Sequence, residues 1–318
     1  MIFFFGTLLE QLSDGPNWIH AIQHHQTNAR ENWWKSLLFI NNFSNSASFQ
    51  TWFVAVDMQL FVFFLIILTF NAKYPQYKKF IYAIITAISI LLPPLLANYY
   101  NLVYNTLVQS ESLRYMEYQY IGYNVKVLYT IYSTVGIYLF GIITGEIYME
   151  IKRRTNHKSF KGVFIYEIGW WILYVAVSIL PSFKFKSVED NPALSSLTSH
   201  ILCNIWAVGY CILILGLTFK LGGIMRMGLS SAFAVKMSRI VYQLYLWHMA
   251  ALYIIYGYIR QPLYSNDLHF NLRFILFQCV AWSLSFILTL IFEYPINKIF
   301  DILLNKENMI GSENSKSK

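Results

Sequence analysis

Apolar residues in this chain come in long runs separated by short polar patches. The runs hold about 18–22 residues, enough for a helix to cross a hydrocarbon core about 30 Å thick. Seven are drawn, at 51–70, 80–97, 127–148, 163–183, 200–221, 239–258 and 274–292. A helix is the conformation that satisfies the backbone of an isolated segment in lipid. Residues 1–9 are apolar but too short to span, and they lack the basic start and small-residue cleavage site of a signal peptide. They read as the last turns of a further helix. The expected fold is all-α, a polytopic transmembrane bundle of about seven complete spans plus a partial one at the amino terminus. Residues 1–306 form one membrane domain that includes a lumenal segment, 10–50. Residues 307–318 form a disordered cytosolic tail.

Composition supports this pattern. Of 318 residues, 56% are hydrophobic and only 13% charged, with a mean hydropathy of +0.43. A soluble domain carries about 25% charge. The net charge of +8 does not mark a nucleic-acid partner, because the basic residues flank apolar runs instead of lining a solvated face. Two-thirds of the 24 Lys and Arg fall on one side of the drawn topology. The richest patch, Lys152, Arg153, Arg154, Lys158 and Lys161, should be cytoplasmic, which also places the carboxyl terminus in the cytosol. Trp52, Tyr99, Tyr100, Trp170 and Trp171 suit interfacial belts. The three cysteines, Cys203, Cys211 and Cys279, lie inside spans with no CxxC spacing, so neither a disulfide framework nor a Cys metal site is expected. The sequon Asn42-Phe43-Ser44 falls on the lumenal side and makes Asn42 a glycosylation candidate. The expected location is a plasma or secretory-pathway membrane.

Few ionisable side chains fall within hydrocarbon: Asp57, Glu146, Glu167 and His248, with Glu293 at the exit of the last span. Such a residue faces a protein interior or a watery cavity. Asp57 is either a packing acid or a cavity-lining one, and Gln59, two residues on, points to a different face. His248 has Tyr245 three residues before it, and a neutral imidazole there can be a satisfied core group or orient a substrate. Glu146 and Glu167 flank the basic loop and can reach a Lys or Arg by snorkelling. Glu293-Tyr294-Pro295 reads as a helix exit, with Glu293 paired to Lys298. The Pro93-Pro94 pair breaks one span near its lumenal end. His20, His24 and His25 include an i, i+4 pair without a third ligand, so no metal is expected. No nucleophilic triad order, Walker loop or dinucleotide fingerprint appears.

Several segments, in order from 14 to 295, resemble the membrane acyltransferase 3 family, and more narrowly its animal "nose resistant to fluoxetine" branch. They are DGPNW at 14–18, NWWKSLLFINNF at 32–43, TWFVAVDMQ at 51–59, SRIVYQLYLWH at 238–248 and EYP at 293–295. The resemblance implies transfer of an acyl group from a thioester, with acyl-CoA as donor, to the hydroxyl of a lipid or small acceptor, and no bound cofactor. It implies cavity-lining or substrate-positioning roles for Asp57, Gln59, Tyr245 and His248. It also implies that the chain begins near the end of the module's third helix. The family's presumed catalytic histidine, on the first helix, then has no counterpart here, and the chain alone is expected to be inactive. A lipid or small-hydrophobe transport component and a non-catalytic membrane scaffold are the alternative readings.

Overall fold

The computed structural model describes residues 1–14, 18–43, 49–102, 124–154, 164–179, 191–257, 260 and 266–303. The described residues are helical, with no strand among them. The helices are α1 (Trp18–Leu37), α2 (Trp52–Lys73), α3 (Lys78–Tyr99), α4 (Ile131–Arg154), α5 (Phe164–Ile179) and α6 (Pro192–Thr218). Two short helices, α7 (Gly223–Leu229) and α8 (Ala232–Ser238), lead to α9 (Val241–Gly257) and α10 (Asp267–Leu288). Among the described residues five helices are long and apolar enough to cross a membrane: α2, α3 with its preceding turn, α4, α6, and α10 with its continuation to Leu303. α5 and α9 are apolar but shorter. All seven drawn runs are therefore helical over their described residues, and five reach spanning length there. The chain is an integral membrane protein.

Two compact units divide the chain. One joins Met1–Glu31 to Ser230–Lys318, and the other is Asn32–Leu229. In the second unit, Val56, Leu60 and Phe64 of α2 pack with Ile85 of α3 and Val135 and Leu139 of α4. Phe64 stacks on Tyr138 at 5.1 Å. Without a hydrophobic drive between helices in lipid, close packing and interhelical hydrogen bonds carry the association. Gly216 shows how close that packing is. The Trp170 indole occupies the place a Cβ on Gly216 would take, and its Nε1–H donates to the Ile212 carbonyl at 2.8 Å. Glu146 of α4 is held by Lys78 at 2.7 Å and by the Tyr82 hydroxyl at 3.0 Å.

In the first unit, turns at Phe4–Leu8 and Leu9–Leu12 precede α1. Phe4 meets Trp247 edge-on at 5.1 Å and Phe5 meets Tyr253 at 6.3 Å, which seats residues 1–12 on α9. Arg30 Nε donates to the Gly6 carbonyl at 2.8 Å. A side chain at Gly257 would run into Trp18, so only glycine lets the two approach.

Two expectations about proline are corrected. α3 runs unbroken through Pro93 and Pro94, both buried. In lipid a proline-bearing helix persists because neighbouring helices make up for the lost backbone bonds. Nor does the last helix end at Glu293-Tyr294-Pro295, since it continues to Leu303. A π-type turn at Thr289–Glu293 widens the helix just before Pro295. That turn absorbs the clash of the proline ring with the carbonyl four residues back.

Candidate functional site

Asp57 and Gln59 stand on different faces of α2, as their spacing requires. Asp57 is exposed, whereas Gln59 is partly buried. The Gln59 amide forms a reciprocal pair with Asn42. Gln59 Nε2 donates to Asn42 Oδ1 at 2.8 Å, and Asn42 Nδ2 donates back to Gln59 Oε1 at 3.3 Å. Gln59 also donates to the Phe39 carbonyl, and Asn42 to the Tyr129 carbonyl at 3.1 Å. Asn41 adds a bond to Thr51 Oγ1 at 2.9 Å, and Trp52 stacks on Tyr129 at 4.3 Å. Phe39 takes a left-handed conformation, φ +56, which closes α1 and turns the chain into this network. Asn42 is 1% exposed, so a glycan on its nitrogen requires that the amide first leave the network.

His248 and Tyr245 lie one turn apart on α9, ring centres 6.0 Å apart. His248 Nδ1 is 2.7 Å from the Tyr245 carbonyl oxygen. A carbonyl only accepts, so Nδ1 carries the proton, and Nε2 of the neutral ring is left with its lone pair. Both side chains are half-buried. Gln243 Nε2 donates to Glu293 Oε2 at 3.0 Å, so the partner of Glu293 is this amide and not Lys298. Sequence spacing could not show it, because the two residues are fifty positions apart.

The structure brings together Tyr245 with His248, and Gln243 with Glu293, in the first unit, and Gln59 with Asn42 in the second. Glu167 opens α5 in its first turn. Gly15, Pro16, Asn17, Ser44, Lys158, Lys161 and the tail at 307–318 lie outside the described residues, as do the side chains of His20, His24 and His25. No group of three or more His, Cys, Asp or Glu among the described residues has the arrangement of a metal site.

A second histidine escaped the sequence reading. The 200–221 run began at His200 and put it at a boundary, but α6 starts at Pro192 and carries it about two turns inside the helix. Asn191 caps that start by accepting from the Leu194 amide at 3.1 Å. Ser196, His200 and Asn204 recur every four residues and form a buried polar stripe, at 0%, 3% and 6% exposure. His200 Nδ1 is 2.8 Å from the Ser196 carbonyl, and Asn204 Nδ2 donates to the His200 carbonyl at 2.7 Å. The i, i+4 polar repeat inside an apolar run was the available signal. Facing the stripe, Ser89 of α3 accepts from the Gly136 amide of α4 at 3.2 Å. A Cβ on Gly136 would stand 2.8 Å from Asn204 Oδ1 and closer still to Ser89 Oγ, so glycine lets the three helices close on one another here. Among the described residues no donor reaches His200 Nε2 or Asn204 Oδ1. A buried polar atom left unsatisfied costs about 1–3 kcal/mol.

Neither the curated proteins nor the solved structures yield a match. A family model described as an acyltransferase domain, Acyl_transf_3, covers residues 2–294, nearly the whole chain, and includes both the α2 and the α9 positions singled out by sequence. The chain belongs to the Acyl_transf_3 family.

Proposed function

We propose that the protein is a membrane acyltransferase of the nose-resistant-to-fluoxetine type, moving an acyl group from acyl-CoA to the hydroxyl of a lipid or small acceptor. The family match over 2–294, joined to a half-buried histidine of fixed tautomer, carries this reading. Transfer requires that the acceptor hydroxyl be held with its oxygen aimed at the thioester carbonyl. His248 Nε2 has the lone pair to accept that hydroxyl's proton in a hydrogen bond, while the Nδ1–carbonyl bond stops the ring from turning. Tyr245 forms a wall beside it. Asp57, in the other unit, presents a carboxylate on the exposed face of α2 and is a substrate-positioning candidate in its own right. Gln59 acts indirectly, by fixing the 39–43 segment. No residue here is assigned the role of the family's first-helix histidine.

The test uses native protein, at whatever length its own cells make it, in membranes with labelled acyl-CoA. Labelled lipid product is expected, reduced at least tenfold in Asp57→Asn and His248→Ala. Unchanged transfer in both variants removes these residues from the site. Hydrophobe uptake without any labelled product replaces acyl transfer by transport.

A further inference from the structure

The stretch 32–43 belongs to the second unit, and its side chains divide into two sets. Trp33, Trp34, Leu37 and Leu38 are exposed at the end of α1, and Phe43 is exposed beyond them. Leu38 still bonds back to the Trp34 carbonyl at 3.1 Å, so the helical arrangement holds to that point. Residues three and four apart are neighbours on a helix, which makes 33, 34, 37 and 38 one apolar stripe. Ser36 turns the other way, its hydroxyl oxygen sealed from solvent. An exposed stripe of this kind marks a contact with protein or membrane. Its depth decides which. The Gln59 amide holds the Phe39 carbonyl and pairs with Asn42. Gln59 lies about 10 Å along α2 from Trp52, at 1.5 Å per residue. Asn42 also donates to the carbonyl of Tyr129, just before α4 begins at Ile131. The 39–43 segment is thus fastened to the first turns of two helices of spanning length. At the level of Gln59, α2 itself exposes Met58, Phe61 and Val62, side chains that suit acyl chains and not water.

We propose that 33–43 is a membrane-interface foot, with the bilayer surface itself as its partner. Leu37, Leu38 and Phe43 enter the boundary of the acyl chains, where an interfacial helix buries its apolar face by about 5–10 Å. Trp33 and Trp34 lie at headgroup level, since an indole has an apolar body and one polar N–H. The Lys35 ammonium stands 5.5 Å over the Trp34 ring, beside that level, and reaches the lipid phosphates. The 10–50 stretch, expected to be lumenal, is drawn down to the bilayer at this end by the Asn42–Gln59 pair. The proposal needs α2 and α4 to span the membrane, and it stands or falls separately from acyl transfer.

The test is electron paramagnetic resonance on the full chain in phosphatidylcholine vesicles, with Cys203→Ala, Cys211→Ala and Cys279→Ala as background. One nitroxide at a time is attached at Trp33→Cys, Leu38→Cys or Phe43→Cys. Exposed Arg153→Cys, in the basic patch, is the reference in water. Collisions with oxygen, which concentrates among acyl chains, are compared with collisions with a water-soluble nickel chelate. Oxygen should prevail at Leu38 and Phe43, with an intermediate ratio at Trp33 and nickel prevailing at Arg153. Nickel prevailing at Leu38 and Phe43 overturns the proposal, because the stripe then faces water. Silence from both reagents there overturns it too, because protein then covers the stripe, whether another part of this chain or a second copy. If the cysteine-free chain does not fold, the protein with its own cysteines is placed in vesicles of lipid brominated high on the acyl chains. Trp33→Phe with Trp34→Phe should then remove part of the tryptophan emission that bromine quenches, and an unchanged quenched emission overturns the proposal.

Discussion

In α6, His200 gives its Nδ1 proton to the Ser196 carbonyl, and in α9, His248 gives the same proton to the Tyr245 carbonyl. The local chemistry is shared: each ring is locked in one tautomer with a lone pair on Nε2. The surroundings differ. His200 is 3% exposed and stands between Ser196 and Asn204, whereas His248 is half-buried beside Tyr245. A sealed imidazole serves structure. A half-open one can meet a substrate. Burial, then, and not tautomer or helix position, separates the two roles.

The sharpest way to break this comparison is to remove each ring in turn. His248→Ala should reduce acyl transfer by about 10²-fold, the penalty of a misaligned acceptor, with little change in thermal unfolding. His200→Ala should do the reverse, with lower stability and a nearly unchanged rate per folded molecule. Equal activity losses in the two would erase the distinction. Next in size is the close helix packing of the second unit. Gly136→Val or Gly216→Val should destabilise by about 3 kcal/mol, because Asn204 or the Trp170 indole must move aside. Thermal melts followed by tryptophan fluorescence would show it. Gln59→Leu should cost about 1–3 kcal/mol by leaving the buried Asn42 amide short of a partner. Open access of a glycan transferase to Asn42 in that variant, read as a mass shift, would show the network loosened. The smallest effect belongs to Gln243→Leu, about 1 kcal/mol, since Glu293 loses one partly buried hydrogen bond.

Much of this molecule was legible in its sequence. Runs of apolar residues specify helices in lipid without help from distant partners, so all seven came out helical over their described residues. The Asp57/Gln59 divergence and the Tyr245–His248 contact were also readable, because both follow from helix periodicity alone. What escaped depended on tertiary neighbours. Pro93 and Pro94 look like breakers in one dimension, yet α3 holds them within a packed helix. Pro295 likewise looks like an exit, yet a π-type turn accommodates it. Glu293 chose Gln243 over the nearer Lys298 because α9 packs on α10. His200 was missed for a subtler reason. An apolar window began at it, and the capping Asn191 and Pro192 that move the helix start upstream carry no hydropathy signal.

The central claim is acyl transfer with His248 holding the acceptor. The most direct measurement is the steady-state rate of labelled acyl transfer by native protein, wild type against His248→Gln, over a range of acceptor concentrations. The account predicts a raised acceptor KM and a lower rate in the variant, with the acyl-CoA KM unchanged. Wild-type kinetics in His248→Gln, or no labelled product from the wild type at any acceptor concentration, would contradict it.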